Sequence, residues 1–159
     1  MTFTLTSTDI TDGGVLPDAQ VAAKGNTSPQ LSWSGAPEGT KSYAITVYDP
    51  DAPTGSGFWH WTVANLPADV SELATGAGSP DGDLPKGAVQ GRTDYGKAGF
   101  GGAAPPPGHG PHRYIFTVFA VDSERLDVTA DDSGAVFGFN LHFHTLARAT
   151  ITATYENKA

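Results

Sequence analysis

The chain has 159 residues, which points to one domain over residues 1–159, large enough to bury a core without covalent staples. It contains no cysteine, which excludes disulfides and thiolate metal sites. Nine basic against seventeen acidic side chains give a net charge of −8, which repels phosphate polymers and argues against bulk nucleic-acid binding.

Twenty glycines and twelve prolines make up about a fifth of the chain, below the roughly 25–30% at which disorder becomes the better description. With 10% aromatic residues, the composition predicts a folded, turn-rich, mainly β domain. Met1–Ile10 alternates polar and apolar residues and lacks the basic and apolar regions of a signal peptide. No run approaches the roughly 18 apolar residues of a membrane span, so a cytoplasmic protein with no stable membrane insertion is expected.

Phe3–Thr6 alternates and reads as a first strand, followed by turns at Asp12-Gly13-Gly14 and Lys24-Gly25-Asn26 around a short edge piece, Val15–Pro17. Gln30–Trp33 is a second strand. Tyr43–Asp49 follows, with Tyr43, Ile45, Val47 and Asp49 on one face by the period of two. In Phe58–Leu66 the same count puts Trp59, Trp61 and Val63 on one face, and Phe58, His60 and Thr62 on the other. Asp69–Asp83 reads as a polar surface loop and Lys86–Arg92 as a short strand.

Thr93–Pro111 is dense in glycine and proline and too long for a plain connector. Because it delivers the chain to His112, it is expected to form an ordered pocket wall. His112–Val121 is apolar on both faces and belongs in a covered, central position. Thr129–Ser133 offers helix caps, so a helix is predicted from there to Arg148, weakened by Gly134 and Gly138; Ile151–Tyr155 closes the domain as a strand.

The chemistry concentrates at two places. Asp49-Pro50-Asp51-Ala52-Pro53 holds two carboxylates in a corner where proline fixes φ and keeps the preceding residue extended, and where a cis X-Pro bond is a candidate. An Asp-Pro turn whose carboxylates cap their own backbone is the competing explanation. His60 lies inside an aromatic strand and His112 opens another; either could be a core histidine satisfied by a neighbour. If the strand ends converge, Asp49, His60 and His112 face one small pocket. Imidazoles beside a carboxylate, with backbone N–H groups of a glycine-rich loop, would make a compact anion trap.

His142 and His144 lack a nearby carboxylate to complete a metal set and read as structural, whereas His109 is expected in solvent or at the pocket rim. No cysteine nucleophile and no Gly-x-Ser-x-Gly elbow are present, so catalysis has no support in the residues. The expectation is a non-enzymatic protein with no cofactor and no metal. Its alternatives are an inhibitor of a protease or kinase acting through the loops Asp69–Asp83 and Thr93–Pro111, and a hydrolase or metal enzyme built on the Asp/His cluster.

These stretches resemble the signatures of the phosphatidylethanolamine-binding proteins, also called Raf kinase inhibitor-like proteins, and most closely their short bacterial and archaeal branch. Asp49–Pro53, followed by Trp59-His60-Trp61 and Asn65-Leu66-Pro67, looks like the first signature, and Gly108–Tyr114 like the second. Asn26–Trp33, Gly35, Pro37, Gly39, Thr40 and Ala149–Tyr155 follow the pattern too, so the likeness spans nearly the whole chain.

The resemblance implies a mainly β, sandwich-like antiparallel fold, a large central sheet packed on a smaller one, with one or two helices near the C-terminus. It also implies a pocket for phosphate or phosphorylated head groups. Asp49, Asp51 and Pro53 would form one wall, His60 and His112 the floor, and Pro106 and Tyr114 the mouth; Gly110 joins this set through the second signature.

Two departures stand out. Ala103-Ala104 replaces the Pro-Cys of many bacterial relatives, and the chain stops soon after Tyr155, so a C-terminal gating helix is expected to be missing and the pocket more open. The family's described roles include lipid head-group binding, kinase and protease inhibition and flowering regulation, and a fold does not choose among them. A homodimer is compatible with the aromatic content.

Overall fold

The structure is a computed structural model, and it describes residues 2–158. Strands β1 (Thr4–Thr6), β2 (Leu31–Ser34), β3 (Ser42–Asp49), β4 (Phe58–Pro67), β5 (Glu72–Leu73), β6 (Val89–Gln90) and β7 (His112–Val121) precede helix α1 (Gly134–His144), which runs directly into β8 (Thr145–Tyr155). The strands form two antiparallel sheets, one of five strands in the order β6-β4-β3-β7-β8 and one of three in the order β1-β2-β5. The expected large sheet packed on a smaller one is therefore present, with one α-helix among the described residues.

Both faces of the large sheet are covered, which explains why β3 and β7 read as continuous apolar runs. On one face Tyr43, Ile45, Val47, Trp61, Val63, Phe116 and Val118 pack against Leu5, Leu31 and Trp33 of the small sheet. On the other, Ala44, Ala64, Phe119 and Val121 pack against Phe137 and Leu141 of α1 and against Leu126 and Val128. Fully burying side chains of this size stabilises the fold by about 1.5–3 kcal/mol each before conformational entropy is charged.

Several expectations change in detail. Helix α1 is capped by Ser133, whose side chain accepts from the Val136 amide, but it stops at His144 instead of reaching Arg148. From Thr145 the chain pairs with β7, beginning at Val121, because the alternating Thr/Ala/Ile sequence fits a strand and β7 offers an open ladder. Asp69–Asp83 is not wholly loop, since Glu72–Leu73 adds an edge to β2. No cis peptide bond occurs among the described residues, so the proline corner after β3 is all trans.

The most consequential change lies in β4. Val47 pairs with Trp61 and Tyr48 with Trp59, which leaves His60 without a partner on β3. One extra residue on a strand is a bulge, and it reverses the alternation beyond it. Trp59 is thereby moved to the helix side, where it meets Tyr48 at 4.5 Å between ring centroids, while Trp61 and Val63 stay in the inter-sheet core. A side chain on Gly134 would collide with the Trp59 indole, so this glycine lets α1 lie close to the sheet.

Candidate functional site

Because β4, β3 and β7 are neighbours in the large sheet, the end of β3 adjoins the starts of β4 and β7. Asp49, His60 and His112 sit at those three ends, and each is at most 3% exposed. The bulge brings His60 and Phe58 to this side, with Phe58 paired to Asp49. A chain reversal after Pro53 makes the connection tight: Gly57 has φ of 70°, and any side chain there would strike Tyr48 and the Asp49 carbonyl.

The three predicted residues do meet around one cavity of about 250 Å³. Ala52, Pro53 and Thr54 form one side, Ala104, Pro105 and Pro106 the opposite side, and Phe58, Tyr95 and Tyr114 complete the lining. The Thr93–Pro111 stretch is thus an ordered wall. His60 stands at the centre of an aromatic cluster, with ring centroids 4.9 Å from Phe58, 5.6 Å from Tyr95 and 5.3 Å from Tyr114.

Two residues expected in the pocket do not line it. Asp51 turns outward, where its carboxylate accepts from the Arg113 backbone N–H at 2.9 Å, from Nε at 3.0 Å and from Nη2 at 2.8 Å. Gly110, with φ of 94°, belongs to the turn before His112 and contributes no lining. The proline corner decides the first case: β3 ends at Asp49, and the break in its period of two turns Asp51 to the other side.

The hydrogen bonds order the site's protons. His112 Nδ1 is 2.7 Å from Asp49 Oδ2, and Asp49 Oδ1 accepts the Asp51 backbone N–H at 2.8 Å. A carboxylate can only accept, so Nδ1 carries the proton. His112 Nε2 is in turn 2.6 Å from Nδ1 of His109, an exposed residue expected in solvent or at the rim. His60 Nδ1 is 2.9 Å from the Gly101 carbonyl and must donate to it, which leaves Nε2 for an occupant of the cavity. The Tyr114 hydroxyl is buried with no hydrogen-bond acceptor for its O–H; the nearby Ala104 backbone N–H favours the phenol oxygen and leaves that donor uncommitted.

The sequence reading leaves Tyr95 out of the site and sets His109 in solvent or at the rim without its contact to His112. The glycine-rich wall was itself a signal for Tyr95, the one tyrosine within it, but the His109–His112 contact depends on the turn at Gly110 and has no pattern in the sequence.

The family model for phosphatidylethanolamine-binding proteins matches residues 6–156. This chain belongs to that family. The UPF0098 protein YbcL of Escherichia coli K12 is 54% identical over 162 residues, covering 98% of this chain and 88% of that protein. UPF0098 protein YbhB of the same organism is 54% identical over 157 residues, covering 96% and 99%. The crystal structure of E. coli YbcL, described as a member of the mammalian PEBP family, superposes with a TM-score of 0.95 over 98% of this chain and 99% of that one.

In this member of the family, burial sets the protonation of the cavity. Desolvation pushes His60 below its ordinary range, only partly offset by the Gly101 carbonyl and the Asp49 charge, so the imidazole is neutral near pH 7. Burial, with Asp49 adding, raises Tyr114 and Tyr95 and keeps both hydroxyls protonated. Tyr95 donates to the Gly102 carbonyl at 2.7 Å, whereas Tyr114 has its donor to offer. Thr54 commits its hydroxyl to the Gly57 carbonyl. Outside the cavity, Arg113 lowers Asp51 to about 2. No helix of the described residues is long and apolar enough to cross a membrane.

Proposed function

We propose that this chain is a non-enzymatic binding protein whose cavity takes a small anion, phosphate or a phosphorylated head group. The observation that carries the reading is a cavity lined by the His60 and His112 imidazoles and by Tyr114, whose buried hydroxyl has no hydrogen-bond partner. A buried donor without a partner costs about 1–3 kcal/mol, and an anionic oxygen in the cavity would recover it. The size fits a phosphate with a short substituent, and the apolar remainder, Pro53, Pro106 and Phe58, suits the carbon part of such a group. Membership of the phosphatidylethanolamine-binding family supports a binding role, and the head group named by that family has this chemistry.

Titration with inorganic phosphate and with phosphorylethanolamine, followed through the imidazole resonances of His60 and His112, tests the proposal. Both are expected to shift at millimolar ligand, and His112→Ala is expected to weaken binding by about 1.5–3 kcal/mol, as for a hydrogen bond to a charged group. Unshifted resonances at millimolar concentrations of either ligand would overturn it.

A further inference from the structure

His112 has no nitrogen to spare. Nδ1 donates to Asp49 and Nε2 is held by His109 Nδ1 at 2.6 Å, so the imidazole on the cavity floor is saturated by the protein itself. Its outer partner is unlike the inner one. Asp49 is 3% exposed and fixed at a strand end, whereas His109 is exposed, outside the cavity lining, and sits between Gly108 and Gly110.

Both glycines have positive φ, 73° and 94°, and open space where a Cβ would stand. The turn is tied down by the Gly108 N–H to the Asn157 carbonyl and by the His109 N–H to the Pro106 carbonyl. Rotation of the His109 side chain alone therefore frees His112 Nε2, with no backbone movement required.

We propose that His109 is a gate on the anion site: with His112 doubly protonated, His109 Nδ1 accepts the Nε2–H in the empty protein and is displaced when an anion accepts that hydrogen in its place. This rests on the anion-pocket reading above and adds its regulation. While His109 is in place, only the fraction of molecules with the gate open can use His112. Apparent affinity is reduced by that fraction. One hydrogen bond between buried His112 and exposed His109 holds the gate, which sets the penalty at roughly three- to tenfold.

His109→Ala and the wild-type protein would be titrated side by side with inorganic phosphate, with His112 Nε2 observed by imidazole ¹⁵N NMR before and after. The variant is expected to bind phosphate about three- to tenfold more tightly. Its ligand-free His112 Nε2 resonance is expected to differ from wild type. Equal or weaker binding by the variant, with wild type still binding, would overturn the gate and leave the pocket reading standing. An unmoved His112 Nε2 resonance in ligand-free His109→Ala would overturn it as well. Absence of phosphate binding in both proteins would overturn the gate together with the anion pocket.

Discussion

The ends of β3 and β7 carry two acid–base pairs, and the pairs behave differently although their members are neighbours in sequence. Asp49 and His112 form the inner pair, 2.7 Å apart with side chains 4% and 1% exposed. Asp51 and Arg113 form the outer pair, 2.8 Å apart with side chains 29% and 56% exposed. The inner pair builds the cavity floor and starts the hydrogen-bond chain to His109. The outer pair fastens the same two strand ends from the solvent side, where water screens it and its contribution is small. Position relative to the sheet, not residue chemistry, separates a site residue from a staple.

Removing the inner acid is the strongest test of that contrast. Asp49→Ala leaves the His112 Nδ1 donor and the Asp51 amide without their acceptor, and is expected to cost about 3 kcal/mol in urea unfolding and to abolish phosphate binding. An effect no larger than that of the outer pair would erase the distinction.

Acidification should expose the inner region next. Burial holds the folded-state value for His60 below the unfolded one, so the unfolded chain binds more protons between the two. The contribution of neutral His60 is present above the ordinary histidine range and is lost as pH falls through it toward the folded-state value. Urea midpoints measured across that range should decline on the acid side, and His60→Gln should flatten the decline.

The smallest effect belongs to the outer pair. Arg113→Ala is expected to cost about 1 kcal/mol or less and to leave phosphate affinity within a factor of about two. The Asp51 carboxyl, held at about 2 by Arg113, should climb toward 3.8 in an NMR titration of the variant. In the parent, the Asp51 contribution is present above 3.8 and fades as pH falls toward 2. A large loss of phosphate binding in this variant would place the outer pair in the site after all.

Much of the site was legible from residues alone. Asp49, His60 and His112 each stand where an apolar run meets a proline- or glycine-rich segment, and such junctions lie at strand ends, where adjoining strands bring them together. Local pattern also located β3, β4 and β7. It failed at Trp59, because a bulge is set by how two strands pair and leaves no mark on either one separately. It failed at Asp51 for a related reason: its orientation follows from the trans proline corner and from Arg113 waiting 62 residues later.

Alternation, proline and glycine act over a few neighbouring residues, so the β class, the approximate course of β3, β4 and β7 and the candidate set Asp49, His60 and His112 could be read along the chain. Which carboxylate faces the cavity, where α1 ends and the hold of His109 on His112 emerge from the assembled fold. Each of those depends on groups far apart along the chain competing for one hydrogen-bonding position, and the winner is settled when the sheet assembles.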